Sequence, residues 1–122
     1  MIIVKEASLE DAVKVNDTVS EFTEYDLKKE YEERCNNVDN LILIACLGDT
    51  PIGYIISYDR FKDNSFYCWM AGVNPEFRRQ GVLKSLMKYQ EEWAKRKGYN
   101  KIRIKTRNNR KEMRLYLAKK RF

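Results

Sequence analysis

Leu41 to Leu47 is an unbroken apolar run, Leu-Ile-Leu-Ile-Ala-Cys-Leu, and no other feature limits so strongly how this chain can fold. A strand without a polar face has to be covered on both sides, whereas a bilayer-spanning helix needs about 20 apolar residues. The run therefore reads as a strand inside a sheet. Gly48-Asp49-Thr50-Pro51 turns the chain into a second run through Tyr58, Asp59 to Asn64 is polar and turn-like, and Phe66 to Val73 is a third run closed by Asn74-Pro75. Three neighbouring strands joined by short turns make an antiparallel meander.

The flanking segments supply helices and two more strands. Ile2-Ile3-Val4 is a short strand, and Ser8 followed by Asp11 resembles a capping box for a helix with Leu9, Ala12, Val13 and Val19 at its apolar positions. Leu27, Tyr31 and Cys35 recur at helical spacing before the Asn36-Asn37 break. From Arg79 onward Val82, Leu83, Leu86, Met87, Trp93 and Ala94 form one stripe of a long helix, which Lys95-Arg96-Lys97 and Gly98 close at the negative end of its dipole. Lys101 to Lys105 alternates as a strand does, and a last helix is expected from Asn108 or Asn109 through Met113, Tyr116 and Leu117. The expected order is β-α-α-β-β-β-α-β-α. It belongs to the α/β (α+β) class, with a mixed, mainly antiparallel sheet flanked by helices. At 122 residues, the span 1–122 reads as a single domain.

Composition removes several chemistries. The chain has no His, so Ser-His-Asp and Cys-His catalysis and His-containing zinc sites are excluded, and Cys35, Cys46 and Cys68 form no CxxC pair. Widely spaced, odd-numbered cysteines fit free thiols in a reducing compartment, so a soluble cytoplasmic protein without bound metal is expected. No membrane-spanning segment or targeting pattern is visible.

The formal charge of +6 hides an asymmetry. Residues 1–77 carry 7 basic and 15 acidic side chains, and residues 78–122 carry 17 and 3, giving −8 and +14. A polyanionic ligand held by the second half is one reading, and two solvated, mutually attracting faces are the other.

Val73-Asn74-Pro75-Glu76-Phe77-Arg78-Arg79-Gln80-Gly81-Val82-Leu83 lies between an expected strand and the long helix. The first amides of a helix lack intrahelical acceptors and sit at the positive end of its dipole, so they can bind phosphate. Gly81 would let an oxyanion approach, and Arg78 and Arg79 would add charge; alternatively Gly81 serves a tight turn and the arginines are solvated.

Val-x-Pro-x-aromatic-Arg-x-x-Gly-x at this position resembles the acyl-CoA pyrophosphate loop of the GNAT superfamily of N-acyltransferases, and the order of elements resembles that family over almost the whole chain. The resemblance implies an N-acetyltransferase that moves an acetyl group from acetyl-CoA to a primary amine of a small molecule or protein, by direct attack in a ternary complex. It assigns the pyrophosphate to the amides of Arg78, Arg79, Gln80, Gly81, Val82 and Leu83, and the pantetheine arm to the strand end at Ala71 and Val73. Asn108 or Asn109 would meet the cofactor further along, and Tyr116 would protonate the leaving thiolate. Leu83 stands where the family usually has Gly or Ala, and Arg121 where it usually has Gly. The family commonly continues into two further strands, so an open sheet edge beside Lys101 to Lys105 is expected to invite a homodimer.

The resemblance also places Glu24, Asp26 and Glu30 beside the acceptor site as candidate bases, and an acidic face there would attract a cationic amine. Cys68 reads as a small core residue. Two other functions fit parts of the sequence. One is an acyl-CoA-binding module without catalysis; the other is a nucleic-acid-binding module built on the basic half, with Tyr89, Trp93 and Tyr99 as stacking rings.

Overall fold

A computed structural model describes residues 1–19, 26–105 and 112–116. Strand β1 (Ile2–Glu6) leads into helix α1 (Leu9–Asn16). Helix α2 (Leu27–Arg34) precedes β2 (Asn40–Leu47), β3 (Thr50–Tyr58) and β4 (Ser65–Val73). A single 3-10 turn, Pro75–Phe77, enters helix α3 (Val82–Lys97), and β5 (Lys101–Lys105) and β6 (Glu112–Tyr116) complete the order. The six strands lie in one sheet in sequential order, antiparallel except where β4 runs parallel to β5.

Local chemistry sets the boundaries. The Ser8 hydroxyl accepts from the Asp11 N–H at 3.3 Å while Asp11 accepts from the Ser8 N–H at 3.4 Å, a reciprocal cap that satisfies amides otherwise orphaned at the start of α1. Asp17 ends α1, so Val19 is buried beyond the helix and not on it. The β2–β3 hairpin is tighter than expected: Gly48 (φ +63°) and Asp49 make the turn, and Thr50 and Pro51 already belong to β3. Gly98 (φ +94°) ends α3 in the left-handed conformation, where Gly98 N–H donates to Lys95 and Tyr99 N–H to Ala94.

Both faces of the sheet are covered, as the Leu41–Leu47 run requires. Leu43, Ile55, Phe66, Cys68 and Ile102 meet Val82, Leu86 and Ala94 of α3 on one side. On the other, Ile44, Tyr54 and Ile56 meet Ala12, Val15 and Leu27 of α1 and α2.

Two expectations for the C-terminal part are overturned. Glu112 to Tyr116 is not helical; it forms β6, antiparallel to β5 with Lys101 opposite Tyr116 and Lys105 opposite Glu112. Five residues of alternating polarity fit either period, and the unpaired N–H and C=O groups of β5 favour the strand. The edge of β5 on which pairing with a second copy was expected is therefore filled by the chain itself. Asn108, Asn109 and Leu117 of the expected helix lie outside the described residues.

Candidate active site

The sheet opens along β4. Its pairing with β5 covers Ser65 to Cys68, opposite Lys101 to Ile104; among the described residues, no strand pairs with that edge of β4 beyond Cys68. On its other edge β4 stays paired with β3 to Val73. The β3 register passes from Ser57–Cys68 to Ile56–Met70, so Trp69 is the extra residue of a β-bulge. The bulge turns Trp69 and Met70 alike toward the α1 and α2 side, while Ala71 and Val73 pack on the α3 side.

Backbone direction follows from one bond. Asn74 N–H donates to the Ile52 carbonyl at 2.8 Å, so the facing residues Gly53 and Val73 are a non-hydrogen-bonded pair. Val73, and two residues earlier Ala71, therefore aim their N–H and C=O groups away from β3 into the opening. The Val73 carbonyl already accepts from Arg78 Nε at 3.3 Å.

The first turn of α3 borders this opening. A Cβ placed on Gly53 would fall 2.5 Å from Val82 Cγ1 and 3.5 Å from the Gly72 carbonyl oxygen, so only glycine lets the helix start sit this close to the ends of β3 and β4. Asn74 accepts from Glu76 N–H at 3.0 Å and starts the 3-10 turn, Arg79 takes φ +66°, and Gly81 at φ +79° is the N-cap of α3. Gly81 contributes no side-chain cap, and a Cβ on it would meet nothing within 4 Å. The amides of Val82, Leu83 and Lys84 thus form an open donor cluster at the positive end of a 16-residue helix. Leu83, on this first turn, is 45% exposed.

The structure thus brings together Ala71, Val73 and the Arg78–Leu83 loop. It does not bring Tyr116 to them. Tyr116 pairs with Lys101, which is level with Ser65, eight residues of strand from Val73, or about 25 Å. Asp26 caps α2 by accepting from Lys29 N–H at 3.1 Å, and Glu30 pairs with Arg34 at 3.3 Å, so both serve helix structure; Glu24 lies outside the described residues. Arg34 also stacks 4.9 Å over the Trp69 ring, so the α2 face beside the bulge is not uniformly acidic. Cys68 is buried, and desolvation pushes its thiol up to about 11 despite nearby Ser57 and Gln90. Desolvation likewise pushes Cys35 up to about 12. Cys46 is also free and buried. Two arrangements had no counterpart in the sequence reading: the Trp69 bulge, visible only through the β3 register, and the contact of Gly53 with α3, for which a lone glycine in an apolar strand was the available signal.

The three rings of the nucleic-acid reading are spent on packing. Phe66 lies 5.1 Å from Trp93 and 4.8 Å from Tyr99, whose hydroxyl is shared between Asp39 (3.0 Å) and Asp59 (3.2 Å), and Tyr89 packs against the same core. Burial, with those carboxylates, holds the Tyr99 phenol well above its ordinary range.

The β4–β5 pair thus parts beside a helix N-terminus without a side-chain cap, which sets main-chain groups of β4 and the first amides of α3 beside one opening. Residues 13–120 match the Acetyltransferase (GNAT) family, and the chain belongs to it. Among solved structures, the chain is similar to the ribosomal-protein-S18-alanine N-acetyltransferase of Escherichia coli (13% identity, 88% of this chain and 68% of that one, TM-score 0.71). It is similar to the PaiA N-acetyltransferase of Thermoplasma acidophilum in complex with coenzyme A (20% identity, 90% and 82% covered, TM-score 0.69). A third similar structure is an aminoglycoside acetyltransferase from an uncultured soil metagenomic sample in complex with sisomicin (15% identity, 88% and 79% covered, TM-score 0.70). These likenesses establish a shared fold. No curated protein sequence matches the chain.

Proposed function

We propose that this chain is an N-acetyltransferase that transfers an acetyl group from acetyl-CoA to a primary amine within a ternary complex. Membership of the family makes acetyl-CoA the cosubstrate. The observation that carries the reading is the outward aim of the Ala71 and Val73 backbone beside the open first turn of α3. In this reading the pantetheine arm lies along the β4 edge, Arg78 shifts from the Val73 carbonyl to accommodate it, and the pyrophosphate accepts from the amides of the Arg78–Leu83 loop. The +14 balance of residues 78–122 suits a ligand rich in phosphate. Asn108 or Asn109 meets the cosubstrate further along.

The chemistry needs no protein nucleophile. A neutral amine nitrogen attacks the thioester carbonyl carbon, the N–C bond forms as the C–S bond breaks, and the thiolate leaves with the electron pair. The Ala71 amide polarises the carbonyl oxygen, and the amine proton passes to a carboxylate or water. A thiol with a pKa of about 8.5 leaves readily without a proton donor, so a Tyr116 remote from the opening is compatible with turnover. The acceptor is an amine of a small molecule or a protein, approaching on the Trp69 and Met70 side.

We place the protein in the cytoplasm as one domain, in keeping with its free, buried thiols. No helix among the described residues is long and apolar enough to cross a membrane.

Calorimetric titration with acetyl-CoA at about 0.15 M salt, where exposed electrostatic attraction is largely screened, tests the site. Saturable one-to-one binding is expected, followed by CoA release on a panel of amines. No binding refutes the reading; binding without turnover on any amine leaves an acyl-CoA-binding module.

A further inference from the structure

Gln90 is a polar side chain where α3 has no use for one. It lies four residues from both Leu86 and Ala94, on the face that packs against the sheet, and like them it is fully buried. A primary amide in an apolar core destabilises the fold unless its donors and acceptors are satisfied. Gln90 Oε1 accepts a short hydrogen bond from Ser57 Oγ, itself fully buried on β3, and Gln90 Nε2 donates to Met87 Sδ at 3.4 Å. The Cys68 thiol of β4 interacts with both Ser57 and Gln90.

The place of this cluster matters more than its composition. Ser57 and Cys68 face one another on the last regular rung before the Trp69 bulge. Cys68 also faces Ile104 on the last rung at which β4 and β5 are paired. The strand changes register and the sheet parts at the same point, and Gln90 is hydrogen-bonded there. Apolar contacts alone let a helix slide or rotate by small repackings, whereas a buried hydrogen bond has one distance and one direction.

Resting on the acyl-CoA reading, we propose that Gln90 is a positioning residue that sets the separation between two halves of the cosubstrate site. One half is the donor cluster at the start of α3, eight residues or about 12 Å along the helix from Gln90. The other is the β4 edge at Ala71 and Val73. A ligand that touches one half is indifferent to their separation. A ligand that spans both binds with the full benefit of linkage only when the spacing matches its own length.

The test compares intact CoA with its parts, adenosine 3′,5′-bisphosphate and pantetheine, by calorimetry on the whole chain. Ser57→Ala combined with Gln90→Met removes both members of the Ser57–Gln90 hydrogen bond together, so that of the groups in this cluster only the weakly hydrogen-bonding Cys68 thiol and Met87 sulfur lose their partners. The double variant is expected to unfold cooperatively in urea, to bind each fragment within about twofold of the parent, and to bind intact CoA about tenfold or more weakly. Intact CoA bound within twofold of the parent overturns the proposal, as does an equal loss for all three ligands, which is the signature of a merely loosened fold. If the double variant does not fold, Ser57→Ala alone breaks the bond with the smallest change in volume and carries the same expectation. A parent chain that fails to bind CoA overturns the acyl-CoA reading itself, and this inference with it.

Discussion

Replacing Gly53 by Ala adds one methyl group at the junction of sheet and helix. The new Cβ would lie 2.5 Å from Val82 Cγ1 and 3.3 Å from Leu86 Cδ1, against an optimal carbon–carbon separation of about 3.5–4.0 Å. Val82 cannot turn away easily, because a β-branched side chain in a helix has essentially one χ1 well. Relief of at least about 1 Å of overlap must come from lifting the first turn of α3 off β3, and overpacking of this kind costs about 1–3 kcal/mol. With a urea m-value of about 2 kcal/mol/M, a loss of about 2 kcal/mol lowers the unfolding midpoint by about 1 M at unchanged m. The same lift displaces the donor cluster from the β4 edge, so acetyl-CoA affinity is expected to fall about tenfold, or about 1.4 kcal/mol. Val82→Ala removes the clashing methyl, so in a double-mutant cycle the two changes should show a favourable coupling above about 0.5 kcal/mol in both stability and affinity. A Gly53→Ala chain as stable as the parent, or a clash that Val82→Ala does not relieve, would refute the close approach of α3 to the sheet.

Gly81→Glu puts a carboxylate at the N-cap where the pyrophosphate is expected, and calorimetry should show acetyl-CoA binding abolished; at φ +79° with open space around it, the fold loses only about 1–2 kcal/mol of backbone strain by urea titration. Burial pushes the Cys35 thiol up to about 12 and the Cys68 thiol up to about 11, above the ordinary thiol range, so over that interval the native protein holds more protons than the unfolded chain. Stability should therefore be unaffected by these thiols below pH 9 and fall as pH rises toward 11, which urea midpoints measured from pH 7 to 10.5 would reveal. Cys68 is buried and its thiol is pushed up by desolvation, so mass spectrometry should find it unalkylated by iodoacetamide until urea unfolds the chain. Tyr116→Phe should retain amine-dependent CoA release within about threefold, and a loss of a hundredfold or more, the range expected for removal of a general acid, would contradict the β6 register.

Much of this architecture is written in short-range chemistry. Ser8 and Asp11 announce the start of α1, Lys95 to Gly98 the end of α3, and Leu41 to Leu47 the burial of β2 on both faces, because caps and strand burial depend on neighbours in the chain. The loop from Asn74 to Gly81 was legible for the same reason: Pro75 and Gly81 constrain the backbone wherever they stand. What depends on a distant partner was not. Glu112 to Tyr116 carries Met113 and Tyr116 at helical spacing and Met113 and Leu115 at strand spacing, and only pairing with β5 chooses between them. Asp26 and Glu30 look like acid–base candidates until their bonds to Lys29 N–H and Arg34 are seen. Gln90 was legible in principle, as the one amide on the packed stripe of α3, but its meaning required Ser57 from another element.

These findings together explain how a chain without His and with only buried thiols can be equipped for acyl transfer. No described side chain at the opening of β4 is an activated nucleophile, and the strongest pKa perturbations, at Cys35, Cys68 and Tyr99, hold those groups protonated and inert. What remains are main-chain N–H groups, on the β4 edge and in the first turn of α3, with the Arg78 and Arg79 side chains in the loop between them. Backbone donors cannot be tuned by substitution; they can only be placed, and placement depends on elements that carry no chemistry themselves. The Trp69 bulge turns the strand, the early end of β4–β5 pairing frees its edge, Gly53 admits the helix, and Ser57 with Gln90 fixes where along the sheet the helix stops. An acetyl thioester is already activated, so bringing an amine and the carbonyl carbon together can supply about 7–11 kcal/mol of the barrier when both are held in line. A site made of positions in place of reactive groups predicts the order in which mutations hurt: changes at Gly53, Gly81 and Gln90 cost more than changes at any described acid or thiol near the acceptor face.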